Sequence, residues 1–246
     1  MATVTFSEAL DAARRAAAEG DHALATQISQ RLVAHFPQSL DAHMLLGQCS
    51  LLEGDATRAR EEFAVAARAM PENPVARVGL ALSSQWVGLE ADSSRHFAIA
   101  QDLDPGLRSV REDPGFTPEL RAGLTADEAP LTVAGLGVLY MRVGLYEKAA
   151  QEYRRSLETD GGRVEVRLLL AEALWRAGSR QDAVRLCEEL LEEQPECVRA
   201  NLLLGEMRMA QNQPEEARRL WERAREIDPA GRVAMDLFAG MPEVRR

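Results

Sequence analysis

Apolar and small residues recur along the chain at a fixed interval. Leu46 and Leu80 are separated by this interval of about 34 residues. Each of them is followed directly by a glycine or an alanine. The same pair returns at Leu136, Leu170 and Leu204, which are separated by the same interval. A period of about 20 to 50 residues indicates a repeat architecture, in which each unit is one supersecondary element that packs on its neighbours.

Glycine and proline residues follow the same interval and divide each unit into two helices. In the first half of the chain one glycine and one proline recur in every repeat, namely Gly20, Gly54, Gly88, Pro37, Pro71 and Pro105. Glycine readily adopts the left-handed conformation that ends a helix, and proline cannot continue one. Each unit is therefore predicted to contain a helix, a turn at the glycine, and a second helix that ends before the proline.

Residues at the predicted helix starts carry capping signals. Thr5 followed by Glu8, and Ser179 followed by Asp182, have the spacing of a capping box. Asn73 precedes a proline, which suits an N-cap with proline at the first helical position. These signals favour the division into short helices that the repeat predicts.

The pattern resembles the tetratricopeptide repeat, a helix-turn-helix unit of about 34 residues. That family favours Leu and a small residue at positions 7 and 8, Gly at 15, Ala at 20, an aromatic residue at 24 and Pro at 32. The resemblance implies an all-α, right-handed superhelical solenoid of about six repeats, which start at Phe6, Leu40, Pro74, Pro130, Val164 and Val198. Departures from the pattern include Ser29, Gly161, Cys187 and Asn212.

An extra segment interrupts the repeats in the middle of the chain. The separation between Gly88 and Gly144 is longer than one repeat, whereas the neighbouring turn glycines keep the regular interval. We place the excess at 108–129, where turn signals such as Asp113-Pro114-Gly115 predict two short helices, over about 106–112 and 118–124. The segment either caps the third repeat within one continuous superhelix or acts as a hinge between two lobes.

The expected domain organisation has four parts. They are repeats 1 to 3 at 1–107, the capping or hinge insert at 108–129, repeats 4 to 6 at 130–231, and a C-terminal capping segment at 232–246. Such arrays need a cap that covers the last exposed face of the core.

Charge and composition narrow the range of partners. The net charge of −10 disfavours binding to the phosphate backbone of nucleic acids and to anionic membrane surfaces. No apolar stretch approaches the roughly 20 residues that span a bilayer, and the N-terminus has no signal-peptide pattern. We expect a cytoplasmic protein without direct membrane insertion. Lys148 is the only lysine beside 28 arginines, which indicates a GC-rich, bacterial genome.

Patterns typical of catalytic and metal sites are not found. The sequence has no GxSxG, P-loop or HExxH motif, and its four histidines lie in separate places. Cys49, Cys187 and Cys197 form no CxxC pair and are expected to be buried apolar residues. The carboxylates are expected at exposed helical positions, including the acidic run at 188–196. We therefore expect no enzyme activity, no cofactor and no metal.

The resemblance provides a candidate binding surface. In tetratricopeptide arrays the first helix of each repeat lines a concave groove. The groove candidates are Met44, Gln48, Val78, Leu82, Gln85, Trp86, Val138, Met141, Arg142, Leu168, Glu172, Trp175, Arg176, Arg199, Glu206 and Met209. They lack the Lys and Asn pattern of the two-carboxylate clamp found in chaperone-binding relatives. Their apolar character favours an apolar or amphipathic segment of a protein partner.

Two features of this surface leave alternatives open. Trp86 and Trp175 are either anchors for the partner or residues of the core. Arg142 and Arg176 occupy the same position in successive repeats, and they either hold a carboxylate of the partner or form ion pairs with Glu172.

The leading interpretation is an adaptor or scaffold that binds a peptide or helix of partner proteins in the groove. One alternative is a self-assembling structural scaffold, a homo-oligomer in which the terminus of one molecule docks in the groove of another. A second alternative is a chaperone for an apolar client.

Overall fold

The computed structural model of the chain describes residues 5–107 and 131–228. Within these two ranges the chain forms helices joined by short turns, and no strand occurs in them. The helices are α1 (Phe6–Ala18), α2 (His22–His35), α3 (Leu40–Leu52), α4 (Ala56–Ala69), α5 (Pro74–Trp86), α6 (Glu90–Leu103), α7 (Val133–Arg142), α8 (Tyr146–Thr159), α9 (Val164–Arg176), α10 (Arg180–Glu193), α11 (Val198–Ala210) and α12 (Pro214–Ile227).

Each odd-numbered helix packs on the helix that follows it, and each even-numbered helix from α2 to α10 packs on the first helix of the next repeat. This all-α helical repeat solenoid is the fold that the sequence period predicts, and the prediction is confirmed. The fourth repeat begins later than expected, at Val133 instead of Pro130. Thr132 sets this start, because its hydroxyl accepts a hydrogen bond from the Gly135 amide at 3.0 Å.

The predicted insert and the C-terminal capping segment lie outside the described residues, apart from the first two positions of the expected helix at 106–112. There, Gly106 has a φ of 84° and Leu107 a φ of 50°, so a right-handed helix does not begin at Gly106. Leu107 is nevertheless buried, and it joins the same hydrophobic cluster as Phe63 and Val78.

The turns between paired helices have the expected left-handed residue. Gly54 has a φ of 82°, and nothing lies within 4 Å of the place where a β-carbon would be, so glycine is present for its backbone conformation. Asn212 takes the corresponding place in the sixth repeat with a φ of 61°. Asparagine tolerates this conformation better than most residues, which explains the departure from glycine.

Two of the three predicted caps form. Thr5 and Glu8 make the reciprocal capping box, and Asn73 accepts from the amides of Val75 and Ala76. The predicted capping box at Ser179 was wrong, because its side chain makes no cap hydrogen bond. Asp55 begins α4 with nearly the same backbone angles and does cap its helix. The serine side chain is one atom shorter, and in this geometry it does not reach the amide.

Small residues on the first helix of a repeat make room for the aromatic residue on the second. A β-carbon at Gly47 would lie 3.0 Å from the ring of Phe63, and one at Gly137 would lie 2.5 Å from the ring of Tyr153. In the fifth repeat the aromatic residue is replaced by the smaller Cys187.

The three cysteines are buried free thiols, as predicted, and burial raises the pKa of Cys187 to about 12.

The first set of repeats, α1 to α6, contacts the second set, α7 to α12, at a junction. The side chain of Asp102 on α6 accepts hydrogen bonds from the Thr132 hydroxyl and from Arg163 Nη2, the latter at 2.6 Å. Met70 and Val198 belong to one hydrophobic cluster that spans both sets. Helix α6 also packs on α7, although residues 104–132 separate them in sequence.

Several carboxylates lie inside this junction, contrary to the expectation that all are exposed. Asp102, Asp104, Glu165 and Glu172 are buried. The sequence suggested a solvated surface because acidic residues are rarely buried unless paired. Here the pairing exists: Glu165 Oε1 lies 2.7 Å from Arg163 Nε, and Glu165 Oε2 lies 3.8 Å from Arg77.

Candidate partner-binding groove

A cavity of about 380 Å³ lies along the first helices of the fourth, fifth and sixth repeats. The spacing of three or four residues between its lining positions places them on one face of each helix. Seven of the predicted groove residues line it together: Val138, Met141 and Arg142 from α7, Leu168, Glu172 and Arg176 from α9, and Arg199 from α11.

The first set of repeats contributes to this cavity as well. Glu72, from the turn between α4 and α5, and Leu103, from the end of α6, line its wall. The sequence did not indicate either residue, because neither lies on a groove-facing position of a first helix. Their place depends on how the two sets of repeats meet.

Two polar atoms beside the cavity are buried without a hydrogen-bond partner among the described residues. They are Oε2 of Glu72 and the hydroxyl of Tyr153. Burial raises the pKa of the Glu72 carboxyl, against the opposing effect of the Arg199 charge. Burial and the nearby Glu172 raise the pKa of the Tyr153 hydroxyl. The repeat pattern identified Tyr153 only as the aromatic packing residue and did not indicate that its hydroxyl would be buried without a partner.

The arginines of the cavity hold carboxylates of the chain itself. Glu172 bridges two of them, with Arg176 Nη2 at 2.7 Å from Oε1 and Arg199 Nη2 at 2.9 Å from Oε2. Arg142 lies 3.4 Å from Asp104. Arg142 and Arg176 remain about half exposed. The ion pair with Glu172 therefore exists for Arg176, while Arg142 pairs with a carboxylate of the first set of repeats.

Trp86 and Met209 lie toward solvent, whereas Trp175 packs against the core of the second set of repeats. Trp86, at the end of α5, is 52% exposed, and Met209 is 40% exposed. Trp175 is partly buried, with the Arg180 guanidinium 5.2 Å from its ring centroid. It also lines a small hollow with Glu206 and Leu203 next to the main cavity. Neither indole is enclosed by the core.

The candidates on the second and third repeats are mostly covered. Gln48, Val78 and Leu82 are buried, Met44 is partly buried, and Gln85 is exposed. Val78 and Leu82 belong to the same hydrophobic cluster as Leu202 of α11. The structure thus brings seven candidates of repeats 4 to 6 together around an open cavity, and none of the candidates of repeats 2 and 3 lines that cavity.

Models of the tetratricopeptide repeat match three stretches of the sequence, at 16–82, 135–193 and 168–232. Together they cover well over half of the chain. The chain belongs to the tetratricopeptide repeat family. Repeats of this family are protein-interaction modules, so the fold supports a general role in protein–protein interaction. None of the described helices of this family member has the length and apolar character needed to cross a membrane.

Individual relatives in the family are distant. The human protein O-mannosyl-transferase TMTC1 is 24% identical over 144 residues, which are 58% of this chain but 16% of that protein. The solved structure of the APC/C hetero-tetramer Cut9-Hcn1 has a TM-score of 0.45 at 16% identity, over 87% of this chain and 44% of the other. YrrB, a TPR protein with an unusual peptide-binding site, has a TM-score of 0.40 at 13% identity, over 86% of this chain and 97% of its own.

Proposed function

We propose that the protein is an adaptor that holds a peptide or helix of a partner protein in the groove of repeats 4 to 6. The observation that supports this most directly is the open cavity in which Val138, Met141 and Leu168 lie beside the half-exposed Arg142 and Arg176. An apolar side chain of the partner would enter between the three apolar residues.

The chemistry of the cavity favours an anchor with an apolar body. Transfer of apolar surface from water stabilises a complex by about 25 cal/mol per Å². A methionine such as Met141 adapts its shape to the incoming side chain. This function requires no cofactor, metal or catalytic step.

The partner can be trapped with a photo-crosslinking amino acid placed at Met141, with the same amino acid at the exposed Glu158 of α8 as the matched control. In lysate of the source organism, we expect one distinct protein to be crosslinked from position 141 and not from position 158. Met141→Glu, which places a charge in the cavity, should lower recovery of that protein about tenfold or more. Leu24→Glu, on α2, should leave recovery unchanged.

Equal crosslinking from both positions would contradict the groove proposal. Crosslinking of the protein only to its own copies would replace the adaptor function with self-assembly.

A further inference from the structure

A second cavity, of about 540 Å³, lies apart from the groove, between α4, α5 and α6. Ala64, Val65, Ala67 and Leu80 form its apolar surface. Gln194, from the turn between α10 and α11, also lines it. Both sets of repeats therefore contribute to this cavity, and its volume lies within the range of roughly 300 to 1,000 Å³ that is usual for small-molecule sites.

The polar lining of this cavity is cationic. Arg60, Arg68 and Arg77 line it together with His96, and Glu61 is the only carboxylate among its described lining residues. The chain as a whole has a net charge of −10. Three guanidinium groups around one apolar hollow are therefore a local exception in an acidic protein, and they attract anions to this position.

The charges of two of these arginines are weakly compensated by the chain. Arg68 forms no ion pair with any residue of the described ranges. Arg77 is 13% exposed, and its Nη2 lies 3.8 Å from Glu165. That glutamate is held more closely by Arg163, at 2.7 Å. Arg77 otherwise donates to the carbonyl of Pro71, at 3.2 Å from both Nε and Nη2. A buried guanidinium whose partners are a backbone carbonyl and a distant, shared carboxylate favours binding of a further oxyanion.

One buried polar atom of a lining residue that can donate to an anion, Nδ1 of His96, has no hydrogen-bond partner among the described residues. Burial and the Arg77 charge lower the pKa of His96 to about 4, so its ring is neutral near pH 7 and one ring nitrogen carries a proton. Unpaired buried polar atoms are uncommon in folded proteins, and a bound ligand is one cause of them.

We propose that this cavity binds a small organic anion. Its carboxylate or phosphate group lies against Arg68 and Arg77, and its short apolar body lies on Val65 and Leu80. The ring of His96 donates a hydrogen bond to the same anionic group. This site is separate from the groove, and its occupancy does not depend on the proposed adaptor function.

Calorimetric titration of the full chain with three probes tests the proposal. Hexanoate and hexyl phosphate carry the two possible headgroups on the same apolar body, and hexanol carries neither charge. We expect saturable binding of at least one anion, with the stronger of the two identifying the headgroup, and no binding of hexanol at the same concentration. Binding should weaken as the salt concentration rises, because the arginines are partly exposed.

Two arginine substitutions separate a site from general charge attraction. Arg68→Gln should weaken binding of the anion about tenfold, the effect of losing one charge-assisted hydrogen bond. Arg31→Gln, which removes the same charge from an exposed position on α2, should leave the affinity unchanged. Ring signals of His96 should shift in NMR spectra as the anion binds.

Failure of both anions to bind at millimolar concentration would overturn the proposal. So would equal weakening by Arg68→Gln and Arg31→Gln, or binding of hexanol as strong as that of hexanoate.

Discussion

At the scale of single residues, the fold rests on pairs of small and large side chains that face each other within one repeat. Gly137 leaves the space that the ring of Tyr153 fills, and Gly47 does the same for Phe63. The small residue and the ring lie on different helices of one repeat and meet only when these two helices pair. Their spacing in sequence therefore predicts a contact in space.

Gly137→Ala should destabilise the protein by about 1–3 kcal/mol, because its β-carbon would lie 2.5 Å from the Tyr153 ring and force the two helices apart. Urea denaturation followed by circular dichroism measures the loss. Gly162→Ala is the control, since Gly162 is exposed and its nearest neighbour is a side-chain oxygen at 3.4 Å. A loss of stability in Gly137→Ala no larger than that in Gly162→Ala would show that the close contact with the ring is not needed for stability.

At the scale of the helix, the starts of the second helices differ between repeats. Asp21 and Asp55 cap α2 and α4 with their side chains. Leu89 and Leu145 hold the same place before α6 and α8 and make no side-chain cap, and both are exposed. The third and fourth repeats thus lack a local stabilising interaction that the first two have.

Leu145→Asp should supply the missing cap and stabilise the protein by about 0.5–1 kcal/mol. The leucine is 43% exposed, so its removal loses only part of the burial of a core leucine. The thermal midpoint, measured by circular dichroism, should rise. Ser179→Ala serves as the matched control at a position without a cap bond and should change stability by less than about 0.5 kcal/mol. A fall in the midpoint for Leu145→Asp would contradict this account of the turn.

At the scale of the whole molecule, buried ion pairs join the two sets of repeats. Asp102 receives hydrogen bonds from Thr132 and Arg163 of the second set, and Arg77 of the first set approaches Glu165 of the second. The groove cavity and the cationic cavity both include residues from the two sets. The junction therefore determines the shape of both candidate sites.

Asp102→Ala should destabilise the junction by about 1–3 kcal/mol, less than the loss of an isolated buried pair, because Arg163 keeps its contact with Glu165. Urea denaturation measures the loss, and small-angle X-ray scattering should show a larger radius of gyration. Asp92→Ala removes an exposed ion pair with Arg60 at 3.4 Å and should cost less than about 0.5 kcal/mol. An unchanged midpoint and radius in Asp102→Ala would mean that the two sets are held together by other contacts.

The sequence by itself determined the repeat, the helix pairs and the family. All three follow from residues that recur once in every repeat, such as Leu170 with the small residue after it and the glycine of each turn. Because their contacts are local and recur at a fixed interval, they leave a visible pattern in the sequence. It also placed Val138, Met141 and Leu168 on the same face of successive helices.

Tertiary structure alone decided which of these faces remain open. Glu72 and Leu103 line the groove cavity beside residues of the second set, and Asp102 is buried where it receives hydrogen bonds from Thr132 and Arg163. These contacts join residues that are far apart in the chain, and they follow no period. No spacing in the sequence signals them, so the contribution of Glu72 and Leu103 to the groove cavity, and the cationic cavity as a whole, became visible only in three dimensions.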